Sequence, residues 1–322
     1  MIGGPEPCIA IARAAPLQPH AYDLILHWIK QQHPSLVPLF ALTNLPCGPV
    51  RWPGIRLLVP WIQDPSEYVY RDVHDCLVRL GRECDEQGIR VVNRAETQQN
   101  LTKLETSRRL REAGIFTPRV YPIRTREEFL SNFCGLAFPL VVRENQSHQG
   151  PLFLVEGPDQ AAAIPYEELF EPVAAEYIEV GDATDGRYRK YRAVVIGDRV
   201  VSHHLQTSVA WLTRGAARVK DLQSREEEIA YLISPDPFEE SMRQVGVALG
   251  ADYLGIDYGV DPSGNLVVWE ANYYPYLHFS RFDLVYRNFA MERTIAAMVL
   301  TYLEWAGVDP PGRLVRQAGY ED

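Results

Sequence analysis

The run from Gly250 to Tyr276, GADYLGIDYGVDPSGNLVVWEANYYPY, restricts the fold more than any other stretch of the chain. Two apolar segments, Gly255 to Val260 and Leu266 to Asn272, flank the turn cluster Asp261-Pro262-Ser263-Gly264-Asn265. The pattern predicts a β-hairpin. Side chains alternate along a strand, so Leu266, Val268, Glu270 and Asn272 are expected on one face. A four-residue loop from Pro262 to Asn265 pairs Asp261 with Leu266, Gly259 with Val268 and Asp257 with Glu270. Directly opposed residues hold their Cβ atoms about 4.5–5.5 Å apart, so two carboxylates and a carboxamide converge. Such like charges need compensation. A divalent cation supplies it, because Mg2+ takes oxygen ligands and rests on one or two carboxylates plus substrate phosphates. A register slip, or pairing with arginine, answers the same problem.

The remaining chain limits the context. With 322 residues there is room for two or three subdomains. Hydrophobic content of 46% and charged content of 23% are ordinary for a soluble globular protein. A formal net charge of −10 argues against nucleic acid or an anionic membrane as the main partner. Cysteines stand at 8, 47, 76, 84 and 134; their odd number and the lack of a C-x-x-C argue against a disulfide scaffold or a zinc site. A reduced, cytoplasmic setting fits that usage, and the N-terminus lacks signal-peptide regions. The apolar run from Thr294 to Trp305 is too short to span a bilayer and carries Glu304.

Before residue 94 strands and helices alternate. Strands are expected at Cys8 to Ala12, Val37 to Leu42, Ile55 to Pro60 and Ile89 to Asn93, with helices at Ala21 to Gln31 and Tyr68 to Gln87. This order predicts a parallel α/β sheet. No G-x-G-x-x-G follows the first strand, which makes a dinucleotide site improbable. Trp61 and Asp64 end a strand where such sheets place ligands, and equally suit a surface loop.

Four further segments carry polar groups. Asn93 to Pro118 predicts a helix with Leu101, Leu104, Leu110 and Ala113 on one face, ended at Gly114 and carrying Lys103, which as a lone feature is a solvated lysine. Ala137 to Arg143 reads as a buried strand ending in a cation and followed by a polar loop to Gly150. Val173 to Glu179 reads as a strand running into a polar bend. Asp185 to Val201 contains a hairpin signal at Gly197-Asp198, with Lys190, Arg192 and Val194 on one face. His203 and His204, adjacent on a strand, are expected on opposite faces. Glu239 to Leu249 predicts an amphipathic helix and Phe282 to Trp305 a long packing helix.

Taken in order, these segments resemble the ATP-grasp superfamily, and in particular the glutathione synthetase and ribosomal-protein modification types of carboxylate–amine ligase. The resemblance covers about residues 93 to 280 and rests on D-x(12)-E-x-N at 257–272, the helix lysine before G-I-x-x-P, and P-x-V-x-R at 139–143. The last departs from the family, which has lysine at the position of Arg143; arginine keeps the charge but has a broader head. The loop after it holds one glycine, Gly150.

The resemblance implies an ATP-grasp fold of α/β and α+β character with a Rossmann-like N-terminal domain over 1–94, an N-terminal subdomain over 95–172 and a metal-bearing C-terminal subdomain over 173–322. It implies ATP and Mg2+, with Mn2+ as the alternative ion. Lys103 and Arg143 would meet the phosphates, and Glu176, Tyr177, Ile178 and Glu179 the adenosine. Arg192 would contact the transferred phosphoryl group with Lys190 in support, and Asp257, Glu270 and Asn272 would hold the metal. The implied reaction joins a small-molecule or peptide carboxylate to an amine through an acylphosphate, and a homodimer is a family-level expectation. Trp61, Asp64, Arg214, Tyr274 and Tyr276 are substrate-pocket candidates by position, and the aromatic run from Tyr273 to Phe279 is a candidate pocket lining. The competing reading is a nucleotide-binding regulatory protein weakened in catalysis by Arg143 and the glycine-poor loop. A carboxylase or kinase on the same fold is the third.

Overall fold

The computed structural model describes residues 6–14, 20–62, 66–146, 150–213, 217–273 and 277–319. Asp64, Arg214, Tyr274, Tyr276 and most of the loop between Gln146 and Gly150 lie outside these residues.

Three four-stranded sheets follow one another. The strands are β1 (Ile9–Ala14), β2 (Phe40–Leu45), β3 (Leu57–Pro60), β4 (Arg90–Val91), β5 (Val120–Pro122), β6 (Leu140–Glu144), β7 (Leu152–Val155), β8 (Pro172–Glu176), β9 (Tyr188–Ile196), β10 (Arg199–Ser208), β11 (Tyr253–Val260) and β12 (Leu266–Asn272). The helices are α1 (His20–Gln32), α2 (Ser66–Val69), α3 (Arg71–Glu86), α4 (Lys103–Glu112), α5 (Arg126–Asn132), α6 (Pro158–Ala162), α7 (Leu222–Ile233), α8 (Glu239–Leu249), α9 (Asn288–Trp305) and α10 (Gly312–Ala318).

The first sheet has order β2-β1-β3-β4 and its pairs are all parallel, as the alternation of elements predicts. Its apolar strands are buried on both faces, by α1 and α9 on one and by α3 on the other. The strand expected from Val37 begins only at Phe40, because Pro34–Leu39 is a 3-10 helix with Pro34 and Pro38 in it. Proline lacks the N–H that a sheet ladder requires. The helix expected from Tyr68 breaks near Tyr70 into α2 and α3.

The second sheet has order β5-β8-β6-β7, with antiparallel pairs throughout. It takes in Pro172–Glu176, past the boundary expected at 172. The third, β10-β9-β11-β12, is likewise antiparallel and holds the expected hairpins. One face of it packs on α8 through Met242, Val245 and Leu249, all fully buried. Burial of each such side chain contributes about 1.5–3 kcal/mol. Gly250 ends α8 in the left-handed conformation, φ 65°, that a C-terminal cap favours. The other face meets α9, which is wedged against the first sheet. Ile9, Ile11 and Val59 of the first sheet and Val194, Ile196 and Tyr253 of the third thus share one core. The long C-terminal helix starts at Asn288, after a 3-10 turn over Phe282–Arg287.

The β11–β12 hairpin corrects the expected register near its turn. Val260, not Asp261, pairs with Leu266, and Gly259 pairs with Val267. A bulge then leaves Trp269 without a partner, so that Tyr258 faces Val268 while Asp257 faces Glu270. The bulge also splits the expected face. Leu266 and Val268 turn with Ala271 into the core against α8, and Glu270 and Asn272 turn to the opposite side. Trp269 joins them, lying on Gly259, where an added Cβ would come 2.4 Å from the indole.

A second bulge corrects the histidines. The register shifts between Ser202 and His204, which places His203 as the extra residue and His204 opposite Arg192. His203 is buried with Nδ1 3.0 Å from Thr294 Oγ1 on α9, the helix that covers the Arg192 side of the sheet farther along. Both rings therefore lie on one side, their centroids 5.5 Å apart, and not on opposite faces.

Candidate active site

The second and third sheets enclose a cavity of about 370 Å³, closed at one end by α4. Of the residues expected to meet the nucleotide, the phosphoryl group or the metal, all line it except Glu179.

Lys103 is the first residue of α4. The Thr102 hydroxyl caps the helix by accepting from the Glu105 N–H, and the Lys103 N–H donates to the Asn145 carbonyl at 2.9 Å. The Leu104 N–H donates to Asn145 Oδ1 at 3.0 Å. These bonds tie the start of the helix to the residue after β6 and bring Lys103 beside Arg143. Both cations then meet one carboxylate: Lys103 Nζ is 3.3 Å from Glu270 Oε1, and Arg143 Nη2 is 3.4 Å from Glu270 Oε2. Leu101 and Leu110 anchor the segment in the α8 core, although Leu101 belongs to the preceding 3-10 turn and not to the helix.

Asp257 is the second carboxylate, 8% exposed. Lys190 Nζ donates to its Oδ2 at 3.0 Å and Arg192 Nη2 to the same oxygen at 2.8 Å. Burial pushes the Asp257 carboxyl up, but the charges of Arg192 and Lys190 outweigh it and hold the group below its ordinary value. Burial likewise opposes the charge of Arg192, and Asp257 more than offsets this. The neighbouring arginines, Arg189 on the same strand and Arg187 just before it, are paired elsewhere: Arg189 with Asp185 and Glu227, and Arg187 with Asp221. Strand alternation thus selects Lys190 and Arg192 from a longer basic run.

Four cations accordingly surround two carboxylates. Such an excess suits a polyanion. Asn272 adds a neutral acceptor: its Oδ1 is buried and has no hydrogen-bond partner among the described residues. Asp257, Glu270 and this orphaned oxygen make an all-oxygen donor set of the kind that a hard divalent cation takes. Among the described residues no group of three or more His, Cys, Asp or Glu side chains could hold a metal ion; this set has two carboxylates and one amide oxygen.

At the opposite end of the cavity, β8 runs into the hinge at Tyr177 and Ile178. Glu176 is gripped by Arg119, whose Nη2 donates to Oε1 at 3.1 Å. Burial raises the Glu176 carboxyl and Arg119 overcomes that, leaving it lowered. Glu179 turns onto its own loop, where it accepts from the Gly181 N–H and from the Tyr177 hydroxyl at 3.1 Å. Burial pushes the Tyr177 hydroxyl well up, so it stays a donor. The apolar wall here comes from Val120, Val141, Leu152, Ile178, Val180 and Leu212, with Trp211 edge-on to Tyr177.

Several lining residues were not anticipated. Thr106 and Ser107 follow Lys103 on the next turn of α4, and Trp269 arrives through the bulge. The small Gly259 opposite a tryptophan was the available signal for the last. Trp61 and Tyr273 were expected near substrate and are elsewhere. Trp61 is buried and stacked on Tyr253 at 5.2 Å, and Tyr273 lies in the α8 core. The histidines do not line the cavity.

No family model matches the sequence, and no curated protein matches it. Solved structures do. A RimK domain ATP-grasp protein from Sphaerobacter thermophilus aligns over 91% of this chain and 100% of its own, at 17% identity and TM-score 0.54. D-alanine–D-alanine ligase from Bacillus anthracis aligns over 93% and 97%, at 14% identity and TM-score 0.59. The ATP-grasp ligase PsnB, solved with a minimal precursor, Mg and ADP, aligns over 91% and 98%, at 14% identity and TM-score 0.56.

The chain has the ATP-grasp fold. The match spans the first parallel sheet as well as the two antiparallel ones, so the whole architecture and not the site alone is shared. Among the described residues no helix is long and apolar enough to cross a membrane.

Proposed function

We propose that the protein is an ATP- and Mg2+-dependent carboxylate–amine ligase that releases ADP and phosphate. The observation that carries this reading is the convergence of Lys103, Arg143, Lys190 and Arg192 on Asp257 and Glu270 beside the orphaned Asn272 oxygen, in one cavity with an apolar hinge at its far end.

In this reading the adenine ring lies against Ile178, Val180 and Leu212, between hinge backbone groups, with Glu176 beside it. Lys103 and Arg143 leave Glu270 for the phosphates, which are stronger partners for a planar guanidinium and an ammonium. Asp257, Glu270 and Asn272 would hold Mg2+, which would neutralise charge on the phosphoryl oxygens. Arg192 sits over the transferred phosphoryl group, with Lys190 next to it. Phosphoryl transfer to a carboxylate gives an acylphosphate; an amine attacks its carbonyl carbon, the C–O bond to phosphate breaks and an amide forms. The chain contributes position and positive charge and needs no nucleophile of its own. Mn2+ would serve as the alternative ion. Subdomains at 1–94, 95–172 and 173–322, a reduced cytoplasmic setting and a homodimer belong to the same proposal.

Calorimetry with a non-hydrolysable ATP analogue, with and without Mg2+, tests the reading. Metal-dependent binding that is lost in Glu270→Gln supports it, and phosphate release from a panel of acids and amines then defines the activity. Absence of binding under both conditions would sink it. Tight binding without turnover across the panel would favour a regulatory nucleotide-binding role.

A further inference from the structure

Four residues on four adjacent strands stand in one row across the third sheet. Glu270 on β12 faces Asp257 on β11, Asp257 faces Arg192 on β9, and Arg192 faces His204 on β10. Directly opposed residues share a face, so the row starts at the metal-binding carboxylates, passes the phosphoryl-binding arginine and ends at a histidine. A parallel pair lies beside it: Lys190 faces Gln206, whose Nε2 is 3.4 Å from His204 Nε2. His204 and Gln206 are half-buried and stand just outside the nucleotide cavity.

We propose that His204 and Gln206 form the seat of the carboxylate that receives the phosphoryl group. This rests on the ligase reading above. The argument is one of distance and charge. Neighbouring strands are about 4.8 Å apart, so Asp257 and His204 are separated by two spacings, about 9.6 Å. That span takes a phosphoryl group on the metal side and a carboxylate on the histidine side, with the reacting atoms about 3–3.5 Å apart over Arg192. With the nucleotide bound from the hinge end, as in the reading above, the attacking oxygen would come from the His204 end, in line with the leaving ADP. The step transfers the terminal phosphoryl group to a carboxylate oxygen: a P–O bond forms to substrate, the P–O bond to ADP breaks, and no proton is moved.

The surroundings choose an anion over an ammonium ion. Arg192, Lys190 and Arg287 all act on His204, whose imidazole is driven well below its ordinary value by burial first and by these cations next. Arg287 is itself paired with Glu228 at 2.8 Å, and Asp257, two strands away, is shared between Arg192 and Lys190, so the carboxylates nearest His204 are already matched by cations and the metal set lies at the other end of the row. A neutral imidazole keeps one donor and one acceptor nitrogen. In the proposed seat the Gln206 amide donates to Nε2, and the imidazole offers an Nδ1 proton to a carboxylate oxygen.

The test is NMR of the full-length protein labelled with 15N-histidine, saturated with Mg2+ and a non-hydrolysable ATP analogue, then titrated with glutamate, succinate and citrate. His204→Gln assigns its resonances. At least one of these acids is expected to shift the His204 ring nitrogens. His204→Gln and Gln206→Ala are each expected to weaken that acid about tenfold or more, ~1.4 kcal/mol, and to leave analogue affinity within about twofold. A purely structural histidine would not move on acid binding. Acid binding that leaves His204 unshifted, or no response to any acid in protein that does bind the analogue, overturns the seat while leaving the ligase reading intact. Failure to bind the analogue overturns the ligase reading and this inference with it.

Discussion

Asp257 faces Glu270 across the β11–β12 pair because Trp269 is extruded from the ladder. The turn before it is one residue longer than a register counted from Asp261–Leu266 would need, and the bulge takes up the difference. Gly259 makes the bulge feasible, since the indole occupies the place of a Cβ at that position. Gly259→Ala is therefore expected to cost about 1–3 kcal/mol through overpacking and to displace Trp269 from the cavity wall. Urea unfolding monitored by tryptophan fluorescence checks both effects. An alanine variant with unchanged stability and spectrum would mean that Trp269 is not seated there.

The two carboxylates differ in what their loss should do. Asp257 is buried between Arg192 and Lys190, so Asp257→Asn leaves two cations without a charge partner. A loss of about 3 kcal/mol or more in unfolding free energy is expected, along with loss of Mg2+-dependent nucleotide binding. Glu270 is slightly more open, at 15% side-chain exposure against 11%, and its ion pairs are longer, 3.3 and 3.4 Å against 3.0 and 2.8 Å. Glu270→Gln should abolish metal-dependent binding with a smaller loss of stability. Equal stability losses in the two variants would contradict the tighter ion pairing of Asp257.

Arg143 stands where the resemblance to the ATP-grasp superfamily leads one to expect lysine, and it reaches Glu270 much as Lys103 does. Arg143→Lys is expected to bind the ATP analogue within a few-fold of the parent. Arg143→Met should lose about ten- to a hundredfold, the 1.5–3 kcal/mol of a hydrogen bond to a charged group. Calorimetry in low salt distinguishes them. A lysine variant as weak as the methionine variant would mean that two-pronged guanidinium geometry, and not charge, is required.

Acid should destabilise the protein in two stages. Burial first, then Arg192 and other nearby cations, push the His203 imidazole from 6.5 down to about 3. The unfolded chain takes up that proton before the folded one, so stability falls as pH drops from about 6.5 towards 3, by up to about 1.4 kcal/mol per pH unit. Asp257 acts lower, because its folded value lies below 3.8 and its contribution, complete above that value, is lost as the folded carboxylate protonates. Urea unfolding across this range should show a shallower first stage in His203→Asn. An unaltered slope would place the titrating group elsewhere.

Much of this protein was legible in its sequence because the signals are local. The parallel first sheet follows from alternating strand and helix patterns, the Gly197-Asp198 hairpin from a two-residue turn, and α8 with its Gly250 cap from apolar spacing. The order of the short polar motifs carried the fold. Register could not be read with the same ease. The Asp257–Glu270 pairing came out as expected, but from a turn count that was wrong by one and was restored by an unanticipated bulge. Leu266 and Val268 consequently face the core and not the site.

The partners of the ionic groups were decided only by the tertiary structure. Lys103 and Glu270 are far apart in sequence, and nothing local says that they meet or that Glu179 spends its carboxylate on Gly181 and Tyr177. The row from Glu270 to His204 is likewise invisible in the chain order, because it depends on the register of three strand pairs and on bulges at Trp269 and His203. Periodicity determines which face a side chain takes within one element. A single inserted residue reverses that face, and only the packing of the finished sheet against α8 and α9 determines where the insertion falls.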